Sequence, residues 1–299
     1  MRHHVVKLNS MTSFLHHSHI YGRLAILGSA FCFYLATVAL RWSKAAGLAL
    51  DSPYFVFSRF LMGFLAIGAL FLIKRHTLRP RRFDLLLGRA MFNLTSVLCF
   101  FKAVEMTTAA ESNVLNMTYP LFVTIFSWFL FKKQRDVRAV GMVLLAFLGI
   151  LLVFSPGSLQ IDPNNLWGLT SGFLAAIAML FLNRVRQYND TDTVLFFVFS
   201  IGTVLIFIFF HGHLYVPSVR EMLYLGFSAF MGFSGQYLLT IGFRYVTAVE
   251  GSIISTTRIL LAAFLGPILT SDPATAWPGW IGAILIFAAN IYFATRKVK

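Results

Sequence analysis

Apolar residues fill the chain from Tyr21 to Thr295 in long blocks, separated by short breaks of Gly, Pro and basic residues. A helix needs about 20 apolar residues to cross a hydrocarbon core roughly 30 Å thick. Read at those breaks, the pattern predicts helices over 22–42, 53–73, 84–104, 108–131, 137–154, 167–187, 192–210, 219–241, 248–270 and 277–295. The expected fold is all-α: an integral membrane protein of ten transmembrane helices, with no room for a soluble catalytic domain.

Composition agrees. Of 299 residues, 58% are hydrophobic, 16% aromatic and 12% charged, whereas soluble domains carry about 25% charged residues. The net charge of +14 would suit nucleic acid, but the basic residues sit between apolar blocks, where membrane topology accounts for them. Alternate connections hold 18 and 4 Lys and Arg, the poorer set being Arg41, Lys44, Lys102 and Arg220. The positive-inside rule then puts both termini in the cytoplasm, in a bacterial inner membrane. Three basic residues, Arg59, Arg89 and Arg258, fall inside apolar spans. Cys32 and Cys99 lie within apolar blocks and read as core thiols, and no cleavable signal peptide is expected.

An internal repeat organises the blocks. An offset of 139 places Thr108-Ala109-Ala110-Glu111 on Thr247-Ala248-Val249-Glu250 and Thr118 on Thr257; nearby offsets match Gly22 with Gly168, and Gly141 and Leu144 with Gly282 and Leu285. The division is a His- and Ser-rich cytoplasmic tail (1–20), a first five-helix repeat (21–155), a connecting loop (156–165) and a second repeat (166–296). Five is odd, so the second copy enters the membrane from the opposite face, an arrangement suited to alternating access.

With this plan go Ser58-Arg59-Phe60, Gly88-Arg89, the Thr-Ala-Ala-Glu start of the fourth helix, Tyr119-Pro120-Leu121-Phe122 and Gly141. In that order and spacing the chain resembles the drug/metabolite transporter superfamily, EamA type, from about residue 20 onward. Two positions depart from the family pattern: Gln134 stands where an acidic residue is common and Arg258 near a common proline. A basic residue there is similar to the subgroup that takes up S-adenosylmethionine, which implies that metabolite or an amino-acid-like one as substrate.

Arg258 lies eight residues past Glu250, about 12 Å along a helix, too deep to reach water easily, so it is a candidate for the substrate cavity rather than a tie between helices. Arg89, Asn93, Ser96 and Phe100 share one face of the third helix, and Ser228, Gly232, Gly235 and Gln236 one face of the eighth. Asn113, Asn116 and Tyr119 would extend the lining, with Pro120 freeing a carbonyl or bending the helix. Arg59 reads as a gate or an internal tie. Glu111 and Glu250 each follow a Thr by three residues, the spacing of a capping box, which competes with proton coupling as their role.

His3, His4, His16, His17 and His19, and the pair His211 and His213, have no recognised metal-ligand spacing. No phosphate loop, nucleophile elbow or metalloprotease motif occurs. Neither cofactor nor metal is expected, and the partners are a small-molecule substrate and the lipid bilayer. The reading is a secondary transporter of a small polar or anionic metabolite; an exporter in the same family is the alternative, ahead of a channel or an intramembrane enzyme.

Overall fold

The computed structural model describes residues 2–75, 78–130, 137–154, 162–246, 248–270 and 276–295. These are helical almost throughout: α1 (Arg2–Ala45), α2 (Ser52–Lys74), α3 (Phe83–Met106), α4 (Ala109–Asn116), α5 (Tyr119–Leu130), α6 (Val137–Phe154), α7 (Asn165–Val185), α8 (Thr191–Phe210), α9 (Val219–Tyr245), α10 (Ala248–Leu269) and α11 (Trp277–Thr295), with a 3₁₀ turn at His211–His213. Among the described residues five segments are long and apolar enough to cross a membrane: Ile20–Ala45, Ser52–Lys74, Phe83–Met106, Asn165–Val185 and Thr191–His213. Gln134 and the histidines of the first 19 residues lie outside the described side chains.

The expected continuous helix over 108–131 is instead two. Pro120 has no N–H to give the Asn116 carbonyl, and its ring crowds that carbonyl, so α4 stops at Asn116 and the chain turns through Met117 and Thr118 before α5. The Thr118 hydroxyl donates to the Leu115 carbonyl at 2.6 Å, replacing part of the lost ladder. Elsewhere, side chains cap helix starts as polar residues before apolar blocks should. Asp51 accepts from the Tyr54 amide at 3.2 Å and Asp190 from the Thr193 amide at 2.9 Å.

The chief packing partners are α1 with α9, α3 with α7, α2 with α8, α6 with α11, α1 with α10 and α4 with α7. Exchanging α1, α2, α3, α4–α5 and α6 for α7, α8, α9, α10 and α11 carries every one of these pairs onto itself or another. Contacts at residue level do the same. Gly63 of α2 lies against Phe199 of α8, and Gly202 of α8 against Phe60 of α2; the 139 offset interchanges the two pairs. A missing Cβ lets each ring sit in the opposite helix surface, the small-residue packing common between helices in lipid.

Polarity is inverted relative to a water-soluble protein. Leu72 and Phe209 are 82% and 72% exposed, among many apolar side chains on the outside, while Asn, Gln, Ser, Thr and Arg side chains lie buried. An exterior of that kind is covered by lipid. At one end of the bundle Arg81 and Asn189 exchange hydrogen bonds of 2.8 Å, and Lys74 approaches Asp192 at 3.6 Å. At the other, His213 Nδ1 meets Asp51 Oδ2 at 2.5 Å and the Tyr54 hydroxyl donates to the Tyr215 carbonyl at 2.5 Å. The Tyr215 hydroxyl donates to Glu221 at 2.6 Å, and that bond to a carboxylate pushes Tyr215 up to about 12.

Candidate functional site

Midway along the bundle, α1, α2, α3, α7, α9, α10 and the α4–α5 turn surround a cavity with about 710 Å³ of atom-free space, open solvent included. Arg59, Arg89, Asn93, Asn116, Tyr119, Gln236 and Arg258 all line it. Arg89 and Asn93 share a face of α3 and Asn116 and Tyr119 flank the α4–α5 turn, but only the tertiary packing brings these to Arg59, Gln236 and Arg258.

The three arginines dominate the site. Arg59, Arg89 and Arg258 are 4%, 2% and 5% exposed, and no carboxylate lines the cavity among the described residues. Their partners are neutral. Arg59 donates to Gln236 Oε1 across a long 3.5 Å, and Arg258 donates to Asn116 Oδ1. Arg89 has no hydrogen-bond partner among the described residues, and the Nε atoms of all three are buried and unpaired. The guanidiniums of Arg59 and Arg258 lie 4.9 and 5.7 Å from the centroid of the same Phe33 ring, and Arg258 is 5.1 Å from that of Phe100. Cation–π contact compensates a buried cation only in part. Arg59 also feels the repulsion of both Arg89 and Arg258.

A neutral network holds the polar residues around them. Asn116 Nδ2 donates to Ser171 Oγ at 2.6 Å, Ser171 Oγ donates to the Ser96 carbonyl at 2.9 Å and Ser96 Oγ to the Ser171 carbonyl at 2.9 Å. This clamps α3 and α4 to α7 and turns Asn116 Oδ1 toward Arg258. Tyr119 and Ser255 of α10 both line the cavity, and the Ser255 hydroxyl donates to the Gly251 carbonyl at 2.9 Å. Gln236 Nε2 faces Thr240 Oγ1 at 3.5 Å.

Other expected lining residues sit elsewhere. The Asn113 amide donates to the Ala109 carbonyl at 2.7 Å, inside its own short helix, and Ser228 donates to the Ala36 carbonyl at 2.9 Å across the α1–α9 contact. Gly232 and Gly235 shape the site from behind: a Cβ would come within 2.7 Å of Arg59 Cδ and 2.8 Å of the Phe33 ring. Phe33 and Ser29 of α1, and Ser255, were missed by sequence reasoning. Phe33 is one of 33 phenylalanines, and only a serine in an apolar helix could have marked that face of α1.

Glu111 is at a helix start, outside the cavity lining. Its amide donates to Thr108 Oγ1 at 3.1 Å, and its carboxylate accepts from the Thr108 amide at 3.4 Å, closing a capping box. Gln can close the same box. Glu111→Gln is therefore expected to retain the melting point to within about 0.5 kcal/mol of stability, whereas Thr108→Ala costs about 1 kcal/mol; thermal unfolding in detergent checks both. A Glu111→Gln protein that folds but has lost a pH-driven flux would make the carboxylate a proton carrier instead. The Glu250 side chain lies outside the described residues.

An apolar exterior around a helical bundle with a polar centre defines a multi-pass membrane protein, and a central polar cavity suits a transporter. The chain belongs to the EamA-like transporter family, of the drug/metabolite transporter superfamily: residues 20–155 match it, and residues 163–295 match it again. It is 27% identical over 257 residues to the pseudopaline exporter CntI of Pseudomonas aeruginosa, covering 85% of this chain and 90% of that protein. An uncharacterized transporter of Helicobacter pylori is 25% identical over 222 residues, covering 71% of this chain and 74% of the relative. Human solute carrier family 35 member G1 is 22% identical over 228 residues, 71% of this chain and 62% of that one. One solved crystal structure shares the fold, with a TM-score of 0.52 at 17% identity over 91% of this chain and 98% of the other. The relatives' names point to transport rather than to an enzyme.

Proposed function

We propose that the chain is a secondary carrier that moves a small anionic metabolite across the inner membrane by alternating access between two inverted five-helix halves. The observation that carries this reading is the buried cavity to which both halves contribute cations, Arg59 and Arg89 from the first and Arg258 from the second. Intramembrane charge without a protein partner marks a substrate path. Ten spans in inverted halves are supported by the twofold match to the family, by helix pairs that map onto one another, and by the reciprocal Gly63–Phe199 and Gly202–Phe60 contacts. The Lys and Arg asymmetry supports cytoplasmic termini, and the ties described at the two ends of the bundle join loops assigned to the same side.

S-adenosylmethionine, the substrate suggested by the resemblance, fits this cavity poorly: its sulfonium would face three guanidiniums and, among the described residues, no carboxylate. An anionic metabolite is favoured on charge alone. Export is supported only by the name of one relative, and nothing in the cavity favours one direction.

Reconstitution into liposomes tests the reading. Preloaded unlabelled substrate is expected to drive saturable counterflow of labelled substrate, from a panel of organic anions, amino acids and S-adenosylmethionine. Flux that never saturates and shows no counterflow would make the protein a channel.

A further inference from the structure

We propose that the species held in this cavity carries two separate anionic groups, as a dicarboxylate does. One group engages the side formed by Arg59 of α2 and Arg89 of α3, the other Arg258 of α10. This rests on the cavity being the carrier's substrate site and goes further, to the charge of what it takes.

The argument is a count of charges and donors. Each guanidinium has five N–H donors and never loses its proton. Among the described residues the side-chain acceptors that these three groups engage are two, Gln236 Oε1 and Asn116 Oδ1, and both are neutral. One carboxylate satisfies one guanidinium fork and leaves two cations buried without a counter-charge. A zwitterionic amino acid does worse, because its ammonium adds a fourth cation where no carboxylate waits among the described residues. Two anionic groups bring the site close to neutrality and supply acceptors that the unpaired Nε atoms lack.

The placement of the cations also implies two separate groups. Under the 139 offset Arg258 falls on Tyr119, Arg59 on Val198 and Arg89 on Ser228, so the repeat duplicates none of the three charges. Asn116 falls on Ser255 and Phe100 on Leu239, all four of which line the cavity. The scaffold is two-fold and the charge on it is not. Arg59 and Arg258 share the Phe33 wall but hold to different helices, through Gln236 of α9 and Asn116 of α4. An elongated ligand, anionic at both ends, spans that division between the halves.

The test uses the purified full chain in detergent, with affinities read from ligand-dependent thermal stabilisation. Probes are succinate, anionic at both ends, glycerol 3-phosphate, whose two charges sit on one group, butyrate as the monoanion of matched length, methionine and S-adenosylmethionine. Succinate is expected to bind at least ~10-fold more tightly than butyrate, the factor that one modest charge-assisted hydrogen bond supplies. Tighter binding of glycerol 3-phosphate than of succinate would place both charges on one group and overturn the two-group reading. Arg89→Gln is expected to weaken succinate binding by about 30-fold, as truncating one partner of a buried charged pair does; Arg89→Lys, which retains the charge, preserves the preference over butyrate. Equal binding of butyrate, tighter binding of methionine or S-adenosylmethionine, or no stabilisation by any dianion overturns the proposal. Dianion binding without counterflow in liposomes would instead remove the carrier reading and leave this one standing.

Discussion

Arg258→Ala is expected to abolish ligand binding and transport while the protein still inserts, folds and melts no lower than the parent. Binding should fall by at least about 2–5 kcal/mol, the cost of removing one partner from a buried charge pair. Folding should not suffer, because among the described residues the Arg258 side chain has a single hydrogen bond, to Asn116, and an unpaired buried Nε. Its removal also relieves the repulsion it exerts on Arg59. Loss of binding together with unchanged or raised stability is the signature of a site preorganised for a ligand at the protein's own expense. Arg258→Lys should recover part of the binding, since the charge stays and the planar fork is lost. If Arg258→Ala instead melts well below the parent and still binds, the residue is a tie between α10 and α4. Melting curves with and without ligand decide.

Gly282→Val should give the opposite pattern, with lower stability and unaltered ligand preference. A Cβ at Gly282 would lie 2.4 Å from the Gly149 carbonyl oxygen, and one at Gly149 2.7 Å from the Gly282 carbonyl oxygen, so α6 and α11 meet backbone to backbone. No flexible side chain is there to yield. Overpacking of this kind costs about 1–3 kcal/mol or more. Gly141 is the control: it matches Gly282 in the repeat, yet nothing lies within 4 Å of a Cβ there, and Gly141→Ala is expected to be silent. A Gly282→Val protein as stable as the parent would mean that α6 and α11 separate at little cost.

These two residues show how differently site and scaffold were written in the chain. Arg258 was conspicuous, because a guanidinium deep in an apolar block costs several kcal/mol unless something meets it. Arg89, Asn93, Ser96 and Phe100 were legible as one helix face by their spacing alone, and all four line the cavity. Asn113 shares that polar character but turns inward onto its own helix, a choice between donors that spacing does not encode. Gly149, which carries the α6–α11 contact, has no feature in sequence that sets it apart from Gly141.

The sequence by itself determined the membrane solvent, the helical class, the family and the unusual cost of three buried arginines, since each follows from local composition, period and the price of moving charge into hydrocarbon. Tertiary structure alone decided that α4 packs on α7 and that Phe33 forms a shared wall. It also decided that Arg59, Arg89 and Arg258 line one cavity with no carboxylate there among the described residues. Those facts depend on which faces of distant helices touch, and contacts between distant segments are set by the packing of the whole bundle rather than by the residues next to them.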